Sequence, residues 1–184
     1  MNLYDFDKTI YAGDSTVDFY FFCLKKKITL IKYMPKQFLS ILKYKFKFIS
    51  KKKMKEDFFS FLKGIDNVDD YIEKFWLLYK KKIKKWYIDS SNKNDVIVSA
   101  SPQFLLNPLK NMFQIKDIIA SNVDSRTGNF LSENCYGEEK VNRIRQLYNN
   151  VEFINAYSDS LSDMPMLNLA ENKYLIKKNK IIKM

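Results

Sequence analysis

The stretch "DFDKTIYAGDS", Asp5 to Ser15, places two carboxylates, Asp5 and Asp7, one residue apart directly after the short run "MNLY". Neighbouring acids repel. Such a pair needs a metal, a nearby cation, or a proton held by one member. Three further polar pieces stand out: Ser99 after "DVIV", Lys140 in "GEEKV", and Asp159 with Asp163 in "SDSLSD". Together these types fit phosphoryl transfer, which needs a nucleophile, a proton donor for the leaving oxygen, and positive charge on the phosphoryl oxygens. Asp5 can act as the nucleophile. Asp7 can protonate a leaving alcohol and then deprotonate water. Asp159 can complete an oxygen shell for Mg²⁺, an ion that takes few carboxylates and keeps several waters. Ser99 and nearby backbone N–H groups, such as that of Ala100, can hold phosphate. Lys140 can neutralise both the phosphate and the crowded acids.

Composition removes the main competitors. The chain has no histidine, which excludes Ser-His-Asp and Cys-His catalysis and histidine-ligated zinc. Its two cysteines, Cys23 and Cys135, lack CxxC spacing and read as reduced thiols of a cytoplasmic protein. No basic leader opens the chain, and the longest apolar run, "FYFFCL", is too short to span a bilayer.

The elements that must position these residues fall into two kinds. "MNLY", "DVIVSAS", "DIIASNVD" and "VEFINAYSDS" read as strands. Helical stretches alternate with them: "QFLLNPLKNMF", kinked near Pro108, then "GEEKVNRIRQLYNN" and the short "SDMPMLNLAE". "VDSRTGNFL" has hairpin chemistry with Gly128 at its tip. This alternation predicts an α/β fold with a parallel sheet, whose ligands gather at the carboxyl ends of the strands. Between the first two strands lies a different region. Residues 20–93 carry 20 Lys and 7 Asp/Glu, a balance of +13, while the remainder carries −2 of the net +11. Its amphipathic runs predict a small helical bundle. These are "STVDFYFFCLKK"; a helix after Pro35 through "KQFLSILKYKFKFI"; "KKKMKEDFFSFLKG", with Gly64 as its C-terminal cap; and one long helix, "DNVDDYIEKFWLLYKKKIKKWYI", on which Ile72, Phe75, Tyr79, Ile83 and Trp86 share a face.

The ordered set resembles the haloacid dehalogenase superfamily of phosphohydrolases. "LYDFDKT" matches its first motif, "VIVSAS" its second, "GEEKV" its third, and "AYSDSLSDMPML" its acidic fourth. The four span nearly the whole chain. The helical insert looks like a C1-type cap, and the arrangement is most similar to the phosphoserine-phosphatase-like branch. The resemblance implies a three-layer Rossmann-like core from residues 1–14 and 94–184, with residues 15–93 as the cap. It makes Asp5 the nucleophile and Asp7 the general acid and base. Thr9 supports the first loop and the phosphate site, and Ser99, Ala100 and Lys140 bind phosphate. Mg²⁺ is held by Asp5, the Asp7 backbone carbonyl and Asp159, with Asp163 ligating through water or bracing Lys140. Ser158 departs from the frequent glycine before the metal aspartate, and Lys8 from a usually small residue.

Each motif alone has a plainer reading: a chance acidic loop, a buried strand, a solvated lysine, a helix cap. Only their conjunction points to catalysis. Asp14 is either a cap for the first insert helix or, by the resemblance, a contact for the substrate's amine. The basic insert is a solvated surface, a field that steers anionic substrate, or a surface for anionic lipid or nucleic acid, since "KYKFKFISKKKMK" interleaves aromatics with lysines. The reading that combines these points is a Mg²⁺-dependent phosphatase of a small phosphorylated metabolite, phosphoserine among the candidates. Its alternatives are a phospholipid-headgroup phosphatase at a membrane surface and a basic binding module without turnover. Nucleic acid is not the expected partner, and a membrane surface is less favoured than steering or solubility. Oligomeric state is left open.

Overall fold

The computed structural model describes residues 1–184. Six strands form one sheet in the order β3-β2-β1-β4-β5-β6. They are β1 (Asn2–Tyr4), β2 (Asp95–Pro102), β3 (Asp117–Ser121), β4 (Phe153–Ser158), β5 (Ala170–Lys177) and β6 (Lys180–Lys183). The first five are mutually parallel; β6 turns back antiparallel on β5 as an exposed edge. The three-residue β1 is central, with Leu3 paired to Val96 on one side and Ala156 on the other. The chain leaves β1 toward β2 and β3, then crosses back to β4. The strand order therefore reverses at β1/β4, where open α/β sheets build their binding crevice.

Alternation along the strands sorts two buried clusters. Leu3, Val96, Val98, Ile119 and Ala156 pack with Ile144 of helix α8 (Glu138–Leu147) and with Met166 and Leu167 of α9 (Met164–Leu167). Tyr4, Ile97 and Ala120 point the other way. There they meet α6 (Gln103–Leu106), α7 (Pro108–Phe113) and the helices of the insert in a cluster of 27 buried residues. The Tyr4, Tyr157 and Tyr174 rings stack across β1, β4 and β5, each pair 4.7 Å apart.

The insert contains α1 (Ser15–Lys26), α2 (Met34–Lys45), α3 (Lys51–Phe59), α4 (Val68–Tyr79) and α5 (Lys85–Ser90). Its interior is largely aromatic: Phe75 lies within 6 Å of the Phe19, Phe22, Trp76 and Tyr79 rings. Trp76 Nε1 donates to the Leu105 carbonyl at 2.7 Å and ties α4 to the sheet-bound α6.

Three local expectations change. The single long helix predicted across 66–88 breaks at Lys80. Residues 82–84 instead pair with the loop after β1, through Ala12 N to Lys82 O and Lys84 N to Ile10 O, so Ile83 faces Tyr11 rather than extending a helical stripe. Those loop groups need backbone partners, and the chain supplies them at the cost of helix. The helix after Pro35 stops at Lys45. Gly64 is not a left-handed cap but ends a 3₁₀ turn, where a Cβ would come within 2.5 Å of Leu30.

Gly128 sits at the tip of the predicted hairpin with φ +78°, against the helical insert: a Cβ would lie 2.5 Å from the Phe59 carbonyl oxygen. Gly128→Ala therefore combines backbone strain with a clash against main chain. It is expected to cost about 2 kcal/mol, read as a lowered urea midpoint with unchanged slope.

Candidate active site

The sheet reversal brings the sequence-predicted residues to one crevice. Asp5 follows β1 directly, Ser99 lies in β2, Asp159 follows β4, and Lys140 enters from the first turn of α8. They line one cavity of about 600 Å³, which also takes in Asp7, Asp14 and Asp163 and is lined on another side by residues of the helical insert.

Its charged centre is Lys140, 2% exposed. The Nζ donates to Asp5 Oδ1 at 2.7 Å and to Asp163 Oδ2 at 2.9 Å. Burial alone would lower the ammonium pKa. The two carboxylates more than offset it, and the pKa is raised, so the lysine stays charged. Thr9 bridges two motifs, as its Oγ1 donates to Asp5 Oδ2 and accepts from Asp159 N, both at 2.9 Å. The departure at Ser158 has a use: its hydroxyl donates to Asp163 Oδ2 at 2.7 Å, a bond glycine lacks. Lys8 adopts φ +62°, which rationalises the preference for a small residue there.

Asp7 has a different environment. Ser15 N at the start of α1 and Ser101 Oγ donate to its two oxygens at 2.6 and 2.5 Å. Burial first, then the nearby Asp14 carboxylate, push its pKa up to about 7 against those bonds. Burial raises the Asp5 pKa as well, with Lys140 opposing, so the crowded pair meets two of the three devices foreseen: a lysine against Asp5, and an environment in which Asp7 can hold a proton. The Asp14 side chain caps α1 by accepting from Val17 N at 3.0 Å, and Asp14 also lines the cavity.

Asp159 is half-buried. Its carboxylate joins no salt bridge in the structure, and burial raises its pKa while Lys8 opposes. No three acidic or thiol side chains close into a ready-made metal cage. An all-oxygen donor set with one unpaired carboxylate beside Asp5 nevertheless suits a hard cation that uses one or two carboxylates and keeps its waters.

Sequence reasoning missed three participants. Ser101 had a signal, since it lies two residues from Ser99 and such residues share a strand face. Its backbone N–H donates to Ser99 Oγ at 3.1 Å. Asn134 and Lys55 had none. Lys55 of α3 reaches from the helical insert to the Ala100 carbonyl at 3.0 Å and Asn134 Oδ1 at 2.9 Å. Burial, then neighbouring Lys51, lower its pKa to about 8. The cysteines are free, and both are buried.

A sheet reversing beside an acidic loop, with a buried lysine between two aspartates, is the pattern of the haloacid dehalogenase-like hydrolases. The family's model matches residues 3–168, and the chain belongs to that family of enzymes. Among solved structures it is similar to a protein of unknown function from Bordetella pertussis Tohama I (TM-score 0.77, 18% identity, covering 94% of this chain and 87% of that one). It is also similar to a substrate-bound phosphoserine phosphatase (TM-score 0.58, 16% identity, covering 94% and 83%). A third likeness is to a probable phosphoserine phosphatase from Vibrio cholerae (TM-score 0.66, 12% identity, covering 94%), of whose length the chain spans 55%. At these identities the likeness is one of fold. No curated protein sequence matches.

Proposed function

We propose that the protein is a Mg²⁺-dependent phosphomonoesterase that works through an aspartyl-phosphate on Asp5, with residues 15–93 acting as a cap over the site. The observation that carries this reading is the pair of unlike carboxylates: Asp5 held against charged Lys140, and Asp7 pushed up to about 7. Burial raises the pKa of both acids, but only Asp5 has an ammonium against it, so the cation favours ionised Asp5 as the nucleophile and leaves Asp7 as the proton donor.

In this reading Asp5 attacks phosphorus and the bond to the ester oxygen breaks. The Asp7 carboxyl gives its proton to the departing alcohol. It then takes one from the water that cleaves the acyl-phosphate, returning Asp5. Lys140, the Ser99 hydroxyl and the Ala100 N–H balance the phosphoryl oxygens, and Thr9 holds Asp5 in line. Asp5, the Asp7 carbonyl and Asp159 would hold Mg²⁺, which would supply further positive charge at the phosphoryl group. Asp163 braces Lys140. Lys55 sets the cap against the phosphate loop. The substrate is a small phosphorylated metabolite. Phosphoserine is one candidate, with Asp14 facing its amine.

Release of inorganic phosphate from a panel of phosphomonoesters, with and without chelator, tests the reading. Activity is expected on at least one ester and should vanish on chelation. Added Mg²⁺ should restore it, whereas Ca²⁺ should inhibit, because its larger, looser shell can engage Asp5 through both oxygens and spoil the attack. Full activity after exhaustive chelation refutes the metal assignment. No turnover across the panel in the presence of Mg²⁺ refutes the phosphatase reading.

A further inference from the structure

Helix α2 is built inside out. At about 100° per residue, Gln37 and Ser40 fall on one side, Phe38, Leu39 and Leu42 on the opposite side, and Lys36 and Lys43 at the flank next to Leu39. The polar side faces the protein. Gln37 and Ser40 are 5% and 2% exposed; the Gln37 amide bonds Tyr20 OH and the Phe58 carbonyl, and Ser40 Oγ donates to Asp57 at 2.7 Å. The apolar side faces outward, with Phe38 64% and Leu39 51% exposed. The turn that follows adds Phe46 and Phe48 at 70% and 78%, and the preceding 3₁₀ turn adds Ile28 and Ile31. Scattered apolar residues on a surface are ordinary, but a helix that turns its apolar side away from its own protein is not.

The charge around this face is one-sided. From Phe19 to Lys55 the chain holds twelve lysines and no acid. Several of these lysines pair with carboxylates elsewhere, as Lys36 does with Asp57 and Lys52 with Glu133. Lys25, Lys26, Lys32, Lys43, Lys45 and Lys47 join no salt bridge. No helix is long and apolar enough to cross a membrane. Aromatic and aliphatic side chains ringed by unpaired lysines instead match a segment that lies in the interface of an anionic bilayer, its apolar side chains in the acyl boundary and its lysines among the phosphates.

We infer that the outward face of α2, with the Phe46–Phe48 turn, is a docking surface for an anionic lipid bilayer. Docking itself does not depend on catalysis. Ile41, on the flank of α2 between Gln37 and Phe38, also lines the catalytic cavity, so the docking face adjoins the cavity that would receive a headgroup. This last consequence, access to phosphorylated headgroups, rests on the phosphomonoesterase reading.

Two triple variants of the full chain test the inference: Phe38→Ser/Leu39→Ser/Phe46→Ser and Lys43→Gln/Lys45→Gln/Lys47→Gln. All six residues are exposed and lie outside the cavity. Co-sedimentation at physiological ionic strength uses vesicles of phosphatidylcholine mixed with phosphatidylglycerol, and of phosphatidylcholine alone. The unmodified protein is expected on the mixed vesicles only. Each variant should lose at least about tenfold in partitioning, with unchanged thermal unfolding and unchanged hydrolysis of a soluble ester. No retention of the unmodified protein on mixed vesicles overturns the inference. So does retention that the lysine changes abolish and the apolar changes leave intact, since plain electrostatic adsorption then explains it. A self-associated species in sedimentation velocity that the serine changes disperse, without vesicle retention, assigns the face to a second copy and also overturns it. Failure of catalysis appears separately, in the soluble-ester assay.

Discussion

Asp5→Asn is expected to lower phosphate release by on the order of ten-thousandfold while leaving the protein folded. An amide nitrogen or oxygen cannot replace the carboxylate oxygen that attacks phosphorus. The fold should tolerate the change. Lys140 keeps Asp163 at 2.9 Å, so one lysine and one carboxylate remain matched in the buried cluster. Thr9 keeps its bond to Asp159 N, so the acidic loop after β4 stays tied to the loop after β1. Single-turnover phosphate release and a thermal melt check the two halves of the prediction. A melt near that of the unmodified protein with no turnover is the expected pair of results. Substantial activity in purified Asp5→Asn would falsify the nucleophile assignment.

Lys140→Met should damage stability as well as catalysis. It leaves two carboxylates, Asp5 and Asp163, in a buried site without their cation. Removing one partner of a buried ionic cluster costs about 3–5 kcal/mol. For a chain of this size that corresponds to roughly 6–20 °C in Tm. Activity should fall at least on the order of a hundredfold, because a positive charge at the phosphoryl oxygens is lost. The double variant Lys140→Met/Asp163→Asn separates the effects: it relieves one uncompensated carboxylate, so Tm should recover in part while activity does not. Unchanged Tm in Lys140→Met would show that the buried ionic cluster is not a structural element. Recovery of activity in the double variant would remove Lys140 from the chemistry.

Much of the fold was legible in the sequence because the signals were local. "DVIV" and "VEFINAY" carry the β-branched and apolar character of central strands; Asp159 directly follows the end of β4, whereas β2 runs on past Ser99 to Pro102. The motif order fixes which strand ends must meet, and the parallel sheet brings them together with Leu3 between Val96 and Ala156. Lys140 was visible only as a lysine at a helix start. Its burial between Asp5 and Asp163 joins residues 135 and 23 positions away.

What escaped the sequence depended on distant partners. The periodicity of Ile72, Phe75, Tyr79, Ile83 and Trp86 spells one helix, yet the chain breaks at Lys80 because the loop after β1 takes residues 82–84 as backbone partners. Helical periodicity reports that a segment has an apolar stripe; it does not report what lies against it. For α2 the segment's own pattern pointed to a buried apolar face, but Tyr20, Asp57 and the Phe58 carbonyl offer hydrogen bonds that hold Gln37 and Ser40 inward. The sequence by itself therefore determined which segments become strands β1 to β4 and the identity of the acids and the lysine, since these follow from residue type and spacing; the order of the strands in the sheet came from the structure. Tertiary structure decided which hydroxyls hold those acids, which lysine of the insert reaches the Ala100 carbonyl, and which side of α2 meets the outside. Each of these depends on a hydrogen bond or burial between segments far apart in the chain, to which local propensity is blind.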